Sequence, residues 1–171
     1  PPARSTRWQP WPGAPLMSMI VSVTQPPLRV LILSDGIPGH ENQALGVAGV
    51  LGKIYRVETH IHRTTLGQKW LRPLLRLSCN QIRHPRVIRW IQHCYQPRYT
   101  GKKPDLIISA GGNTAFLNIS LAQQFNCPNF FLGSLRGLQG ALFSALFTLE
   151  RQSPGPENIV LDVVPTRGSP E

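Results

Sequence analysis

The chain has 171 residues, enough for one domain with a sizeable core, and its 18 Lys and Arg against 8 Asp and Glu give a formal net charge of +10. That balance points to acidic partners: phosphates, anionic lipid or nucleic acid. Three widely spaced cysteines, Cys79, Cys94 and Cys127, form no CxxC pair, which argues against a disulfide framework or a thiolate zinc site and suits reduced thiols in a cytosolic setting.

No apolar run reaches the ~18–20 residues needed to span a bilayer. Residues 1–27 are rich in Pro, Trp, Arg and Ser and hold no acid. They read as a disordered arm or as translated sequence upstream of a start at Met17 or Met19, with a weak targeting segment as the third reading. The fold is expected from Leu28 onward. Leu28 to Leu33 is an apolar run of strand length, stopped abruptly by Ser34, Asp35, Gly36, Pro38 and Gly39. From His40 to Leu51, Ala44, Leu45, Val47, Ala48 and Leu51 fall near helical spacing, and Gly52 ends the segment. Gly46 and Gly49 inside it are expected to permit close helix–sheet approach. Ile54 to Ile61 alternates as a second strand, completing a βαβ pattern that predicts a parallel sheet with right-handed crossovers.

Lys53 to Lys103 holds twelve Lys and Arg and one acid, Glu58. One helical segment carries Leu66, Trp70, Leu71, Leu74 and Leu75, broken or delayed by Pro73; another carries Val87, Ile88, Ile91 and Tyr95 after Pro85. Leu106 to Ser109 then reads as a buried strand ending in a second glycine turn at Gly111–Gly112. A helix with Ala115, Leu117, Ile119, Leu121, Ala122 and Phe125 follows, closed by Asn126, Cys127 and Pro128. Asn129–Leu132 is a fourth strand, and 142–149 and 158–164 are candidates for a fifth and sixth. The predicted class is α/β: a Rossmann-like three-layer domain with a mostly parallel sheet and helices on both faces.

Two strands thus each end in a glycine turn that opens a helix, and such turns gather at the carboxyl edge of a sheet, where ligands bind. The first turn lacks GxGxxG spacing and no GxxxxGK[ST] sequence occurs, so neither a nicotinamide nor a nucleoside-triphosphate site is supported. What remains is an anion-tolerant turn with an imidazole at its rim. His40 is a candidate general base, phosphate ligand or turn cap. Asp35 orients a hydroxyl or His40, or stabilises the turn. Asn113 and Thr114 either touch ligand or cap the following helix. His60 and His62 share one face of the second strand without a third ligand, so they read as satisfied or solvated histidines, and no metal is expected. The basic segment around Trp70, Arg72, Arg76, Arg86, Arg89 and Trp90 is a solvated surface or a docking face for anionic membrane. Nucleic acid ranks last, since aromatics are sparse and no binding motif is visible.

The stretches LILSDGIPGHENQALGVAGVLG, PDLIISAGGNTAFLNISLA and FFLGSLRGL, in that order between about residues 28 and 165, resemble the bacterial branch of the mitochondrial-fission ELM (elongated mitochondria) family, regarded as predicted GT-B-type glycosyltransferases. The DGxPGHxNQ signature is fairly specific. More remotely, the two loops resemble the paired glycine loops of enzymes that glycosylate lipid-linked acceptors. The resemblance implies the N-terminal domain of a GT-B fold, with Gly36 and Gly39 shaping the first loop, His40 as base, and Asn42 and Gln43 completing the signature. Gly111, Gly112 and Asn113 would form the second loop, and Ser134 and Arg136 lie in GSLRG, where Arg136 would approach a phosphate or carboxylate. It further implies no cofactor beyond a nucleotide-sugar co-substrate, and a phosphate-bearing or lipid-linked acceptor. Residues 166–171 would begin a linker to a second, donor-binding domain outside this chain. The location implied is cytoplasmic, with peripheral contact at the inner face of a membrane. A non-catalytic adaptor that recruits the domain to membrane or a partner is the alternative.

Overall fold

The computed structural model describes residues 26–81 and 84–162. Strand β1 (Leu28–Ser34) sends Val30 and Ile32 into one core and Leu31 and Leu33 into another, all at most 1% exposed. β5 (Leu106–Ala110) divides likewise, Leu106 and Ile108 to the first core and Ile107 to the second. A strand apolar on both faces belongs in the middle of a parallel sheet covered on both sides. At roughly 1.5–3 kcal/mol per fully buried large side chain, these two strands anchor the domain.

The remaining sheet strands are β2 (Val57–Arg63), β6 (Asn129–Leu132), β7 (Ala145–Thr148) and β8 (Asn158–Val160). The order is β2-β1-β5-β6-β7-β8 and every pairing is parallel. A two-residue antiparallel ladder, β3 (Thr65–Leu66) with β4 (Tyr95–Gln96), stands apart. From β1 the chain first steps outward to β2, then crosses back over β1 to β5. With right-handed crossovers this reversal puts the first helix on one face and the later ones on the other. Accordingly α1 (Pro38–Gly52) packs Ala44 and Ala48 against Val30, Ile32, Leu106 and Ile108. On the opposite face, α2 (Arg72–Gln81), α3 (Pro85–His93) and α4 (Ala115–Phe125) contribute Leu75, Cys79, Ile91, Phe116 and Leu117 to the larger core. The expected three-layer α/β domain is therefore present.

Several boundaries differ from the sequence expectation for local reasons. Ile54 and Tyr55 are not in the second strand. They are 71% and 54% exposed, and the N–H groups of Lys53, Ile54 and Tyr55 return to the Val50 and Leu51 carbonyls, so the chain is still closing α1. Pro73 does delay its helix: a 3₁₀ turn at Lys69–Leu71 precedes α2, which places Pro73 in the first helical turn. Tyr95 leaves the predicted helix face, because α3 ends at His93 and Tyr95 enters β4, where it is 1% exposed. The fifth strand shortens to Ala145–Thr148 because Gly140–Leu142 is a 3₁₀ turn. The sixth strand ends at Val160. Gly49 faces open space and so does not serve close helix–sheet approach, while Ala44 and Ala48 are small α1 residues buried against the sheet. The arm at residues 1–25 and the linker at 166–171 lie outside the described residues.

Candidate active site

The reversal of strand order between β1 and β5 creates the crevice at which open α/β sheets bind ligands, outside the carboxyl ends of the strands. Both predicted glycine turns open there. A cleft of about 400 Å³ is lined by Ile37, His40 and Gln43 from the first turn and α1, by Gly111, Gly112 and Asn113 from the second, by Gly133, Ser134 and Arg136 after β6, and by Arg72 of α2. A second hollow of about 350 Å³ continues past Gln43, Gly133 and Ser134 to Glu150 and Gln152.

At the centre is a hydrogen-bonded chain. His40 Nδ1 lies 3.1 and 3.2 Å from the two oxygens of Asp35. The Asp35 side chain is 3% exposed and that of His40 is 32% exposed, so the acid is hidden and the base is reachable. Of the two tautomers, a carboxylate facing Nδ1 selects the one with its proton there, which leaves the Nε2 lone pair as acceptor. Asn113 Nδ2 donates to Asp35 Oδ2 at 3.2 Å, and Arg72 Nη2 donates to Asn113 Oδ1 at 2.6 Å. The Tyr95 hydroxyl donates to the Asn113 carbonyl at 2.6 Å, which pins the second loop from below; burial pushes its phenol pKa up.

The loop shape depends on glycine at one point above all. Gly111 has φ +84°, and a Cβ there would run into the His40 ring. Only glycine combines that left-handed backbone with room for the imidazole. Beneath the first turn, Ser34 Oγ donates to Glu41 Oε2 at 2.8 Å and accepts from the Gly36 N–H at 3.1 Å. Arg63 grips the same carboxylate through Nε at 3.0 Å and Nη2 at 2.8 Å. The Arg63 hydrogen bond, then that of Ser34, holds the Glu41 carboxyl below the usual carboxylate range.

Not every residue singled out in the sequence meets this cleft. Asn42 is exposed and lies outside its lining, whereas Gln43, three residues after His40, shares its helix face. Gly36 takes φ +81° at the turn, and Gly39 sits in the first turn of α1 facing open space. Thr114 is fully buried, its hydroxyl donating to the Ala110 and Gly111 carbonyls, so it closes the strand end. Within the basic segment, Trp70, Arg86 and Arg89 are exposed and Trp90 is half-buried against the core, but Arg72 and Arg76 turn inward beside Gly112. His62 meets the Pro97 carbonyl at 3.1 Å and the edge of Tyr99, and burial lowers its pKa; His60 is exposed. Among the described residues no group of three or more His, Cys, Asp or Glu could hold a metal ion, and no helix is long and apolar enough to cross a membrane.

The segment that runs from the first turn of α1, through the second glycine loop, to the end of β6 has a counterpart outside this chain. The family model described as Mitochondrial fission ELM1 matches residues 38–132, more than half of the chain. The chain belongs to that family. The match takes in His40, Arg72, Arg76 and Gly111–Asn113, while Asp35 precedes it and Ser134 and Arg136 follow it. No curated protein and no solved structure matches the chain. The ELM assignment therefore says which sequences share this scaffold, and the chemistry has to be argued from the cleft.

Proposed function

We propose that this ELM-family chain is the acceptor-side domain of an inverting glycosyltransferase that moves sugar from a nucleotide-sugar to a phosphate-bearing acceptor. The observation that carries the reading is the Asp35–His40 pair, with the acid hidden, the base reachable, and Asn113 holding the acid through a second hydrogen bond. His40 Nε2 takes the proton of the acceptor hydroxyl as its oxygen bonds to the anomeric carbon. The bond from that carbon to the nucleoside diphosphate breaks, and the leaving group departs with the electron pair. Asp35 stabilises the imidazolium that forms. A positioned general base of this kind contributes roughly 10²–10⁴-fold. The donor is held mainly by a second Rossmann-like domain in the GT-B arrangement that the resemblance implies. In an ELM-family member carrying this domain, His40→Ala is expected to cut sugar transfer by at least about 10²-fold. Unchanged turnover sinks the role.

A second reading is favoured by one specific observation. Trp70, Leu74 and Leu77 are 73%, 49% and 49% exposed, an apolar stripe on and beside α2. On this reading the domain docks peripherally on anionic membrane, as an adaptor or to reach a lipid-linked acceptor, with Arg86 and Arg89 meeting headgroups. Flotation with phosphatidylserine-containing vesicles tests it. The Trp70→Ser, Leu74→Ser, Leu77→Ser form and the Arg86→Glu, Arg89→Glu form should both stay with the soluble fraction, and flotation equal to the parent counts against docking.

A further inference from the structure

Helix α2 is built inside out. Its cations Arg72 and Arg76 turn into the protein with Leu75 and Cys79, while Leu74 and Leu77 face solvent. Arg72 and Arg76 meet Arg136, from the loop after β6, around a recess that shares Arg72, Gly112, Ser134 and Arg136 with the main cleft. The Arg136 side chain lies over Gly112, its Cδ, Nε and Nη1 at 3.5, 3.7 and 3.7 Å from where a Cβ would stand. That of Arg76 lies over Gly137 in the same way, at 3.1, 3.4 and 3.4 Å. Arg136 and Gly137 hold φ +47° and +87°, so two successive left-handed residues turn this loop back onto α2. Left-handed backbone is unfavourable at a side chain as long as arginine and calls for a compensating interaction.

Among the described residues the three guanidinium groups have no counter-charge: the ion pairs there are Arg29–Asp105, Asp35–His40 and Glu41–Arg63. Glu150 lines only the neighbouring hollow. The Nε groups of Arg72 and Arg76 are buried without a hydrogen-bond partner among the described residues. The N-terminus of α4 also borders the recess through Ala115 and Phe116, adding the positive end of a helix dipole. Converging cations with donors to spare, on a water-restricted wall, match a planar or tetrahedral oxyanion, which guanidinium forks bind bidentately.

We propose that Arg72, Arg76 and Arg136 form an oxyanion site that takes a phosphate or diphosphate group. In placing the acceptor's phosphate it rests on the glycosyltransferase reading, but the binding itself requires no transfer. Arg72 also joins this site to the base, since it donates to Asn113, which donates to Asp35, which holds His40. A phosphate seated here therefore sits beside the base, leaving the neighbouring sugar or hydroxyl to reach His40.

The test is calorimetric titration of this chain with inorganic pyrophosphate and with farnesyl diphosphate, which separates a bare diphosphate from one carried on a lipid. The parent is expected to bind pyrophosphate. Arg136→Asn tolerates the left-handed backbone while losing the guanidinium, and it should weaken binding at least tenfold, with an unchanged thermal midpoint showing that the fold is intact. Arg76→Lys, which keeps charge but loses the fork, should weaken it severalfold. Farnesyl diphosphate binding tighter than pyrophosphate by tenfold or more assigns the site to a lipid-linked diphosphate, and equal binding assigns it to a soluble one; either supports the site. No binding of either probe by the folded parent, or binding unchanged in Arg136→Asn, overturns it. Binding by this chain, with no sugar transfer by an ELM-family member carrying the domain, would leave the site standing and remove the glycosyltransferase reading.

Discussion

The two walls of the cleft are finished to different degrees. On the histidine wall the charged and imidazole side chains of the first turn are tied to protein partners: His40 to Asp35, Asp35 to Asn113, and Glu41 below them to both Ser34 and Arg63. On the arginine wall two buried Nε groups have none, and the only hydrogen bond from the three guanidinium groups to a described residue is that of Arg72 to Asn113. A closed network fixes geometry before a ligand arrives, which is what a proton-transfer group needs. An open set of donors fixes charge instead and completes its bonds with the ligand. On the proposed reading, the contrast suits chemistry on one wall and anion recognition on the other.

The largest expected effect comes from breaking the histidine wall at its narrowest point. Gly111→Ala places a methyl group where the His40 ring lies and forces alanine to φ +84°. We expect roughly 10²-fold loss of transfer from the displaced base, together with about 1–3 kcal/mol of lost stability from the strained backbone. Kinetics paired with a thermal melt check both; normal activity would show that His40 has room to move and that the wall is not rigid. A smaller effect sharpens the same contrast through pH. Because Arg63 and Ser34 hold the Glu41 carboxyl below its ordinary range in the folded state, their contribution is present above about pH 4.3, the ordinary glutamate value, and is lost as pH falls through the depressed folded value. Arg63→Ala should therefore lower the melting temperature near pH 7 and flatten its decline on acidification. Parallel melting curves for the two proteins would mean the brace is not electrostatic.

The sequence makes the two walls unequally legible as well. Strand, glycine turn and helix start are local signals, so β1, α1, β5 and α4 could be placed within a few residues, and the parallel βαβ pattern then brings Asp35–His40 beside Gly111–Asn113. Arg72 and Arg76 carry no such signal. In a segment with twelve cations they read as solvated surface or a membrane-docking face, and only the crossing of α2 against the loop after β6 turns them inward. Arg136 stands out by its GSLRG motif, but its left-handed backbone follows from packing that spacing cannot show. Tyr95 was hidden for a similar reason: its helical spacing was genuine, yet α3 stops two residues earlier and the ring goes under the second loop. Buried polar ties such as Asn118 to Ser109 and Asn129 are equally invisible, since each depends on how a helix packs on its neighbouring strands rather than on a local motif.

The division of labour between the walls is tested most directly by steady-state transfer in an ELM-family member carrying this domain, with donor saturating and acceptor varied, for His40→Ala and Arg136→Asn side by side. The account predicts that His40→Ala lowers kcat with the acceptor KM nearly unchanged, because it removes an interaction made in the transition state. Arg136→Asn should raise the acceptor KM with kcat largely retained, because it removes binding common to substrate and transition state. A His40→Ala enzyme that keeps its kcat, or an Arg136→Asn enzyme that keeps its KM and loses kcat instead, would contradict it.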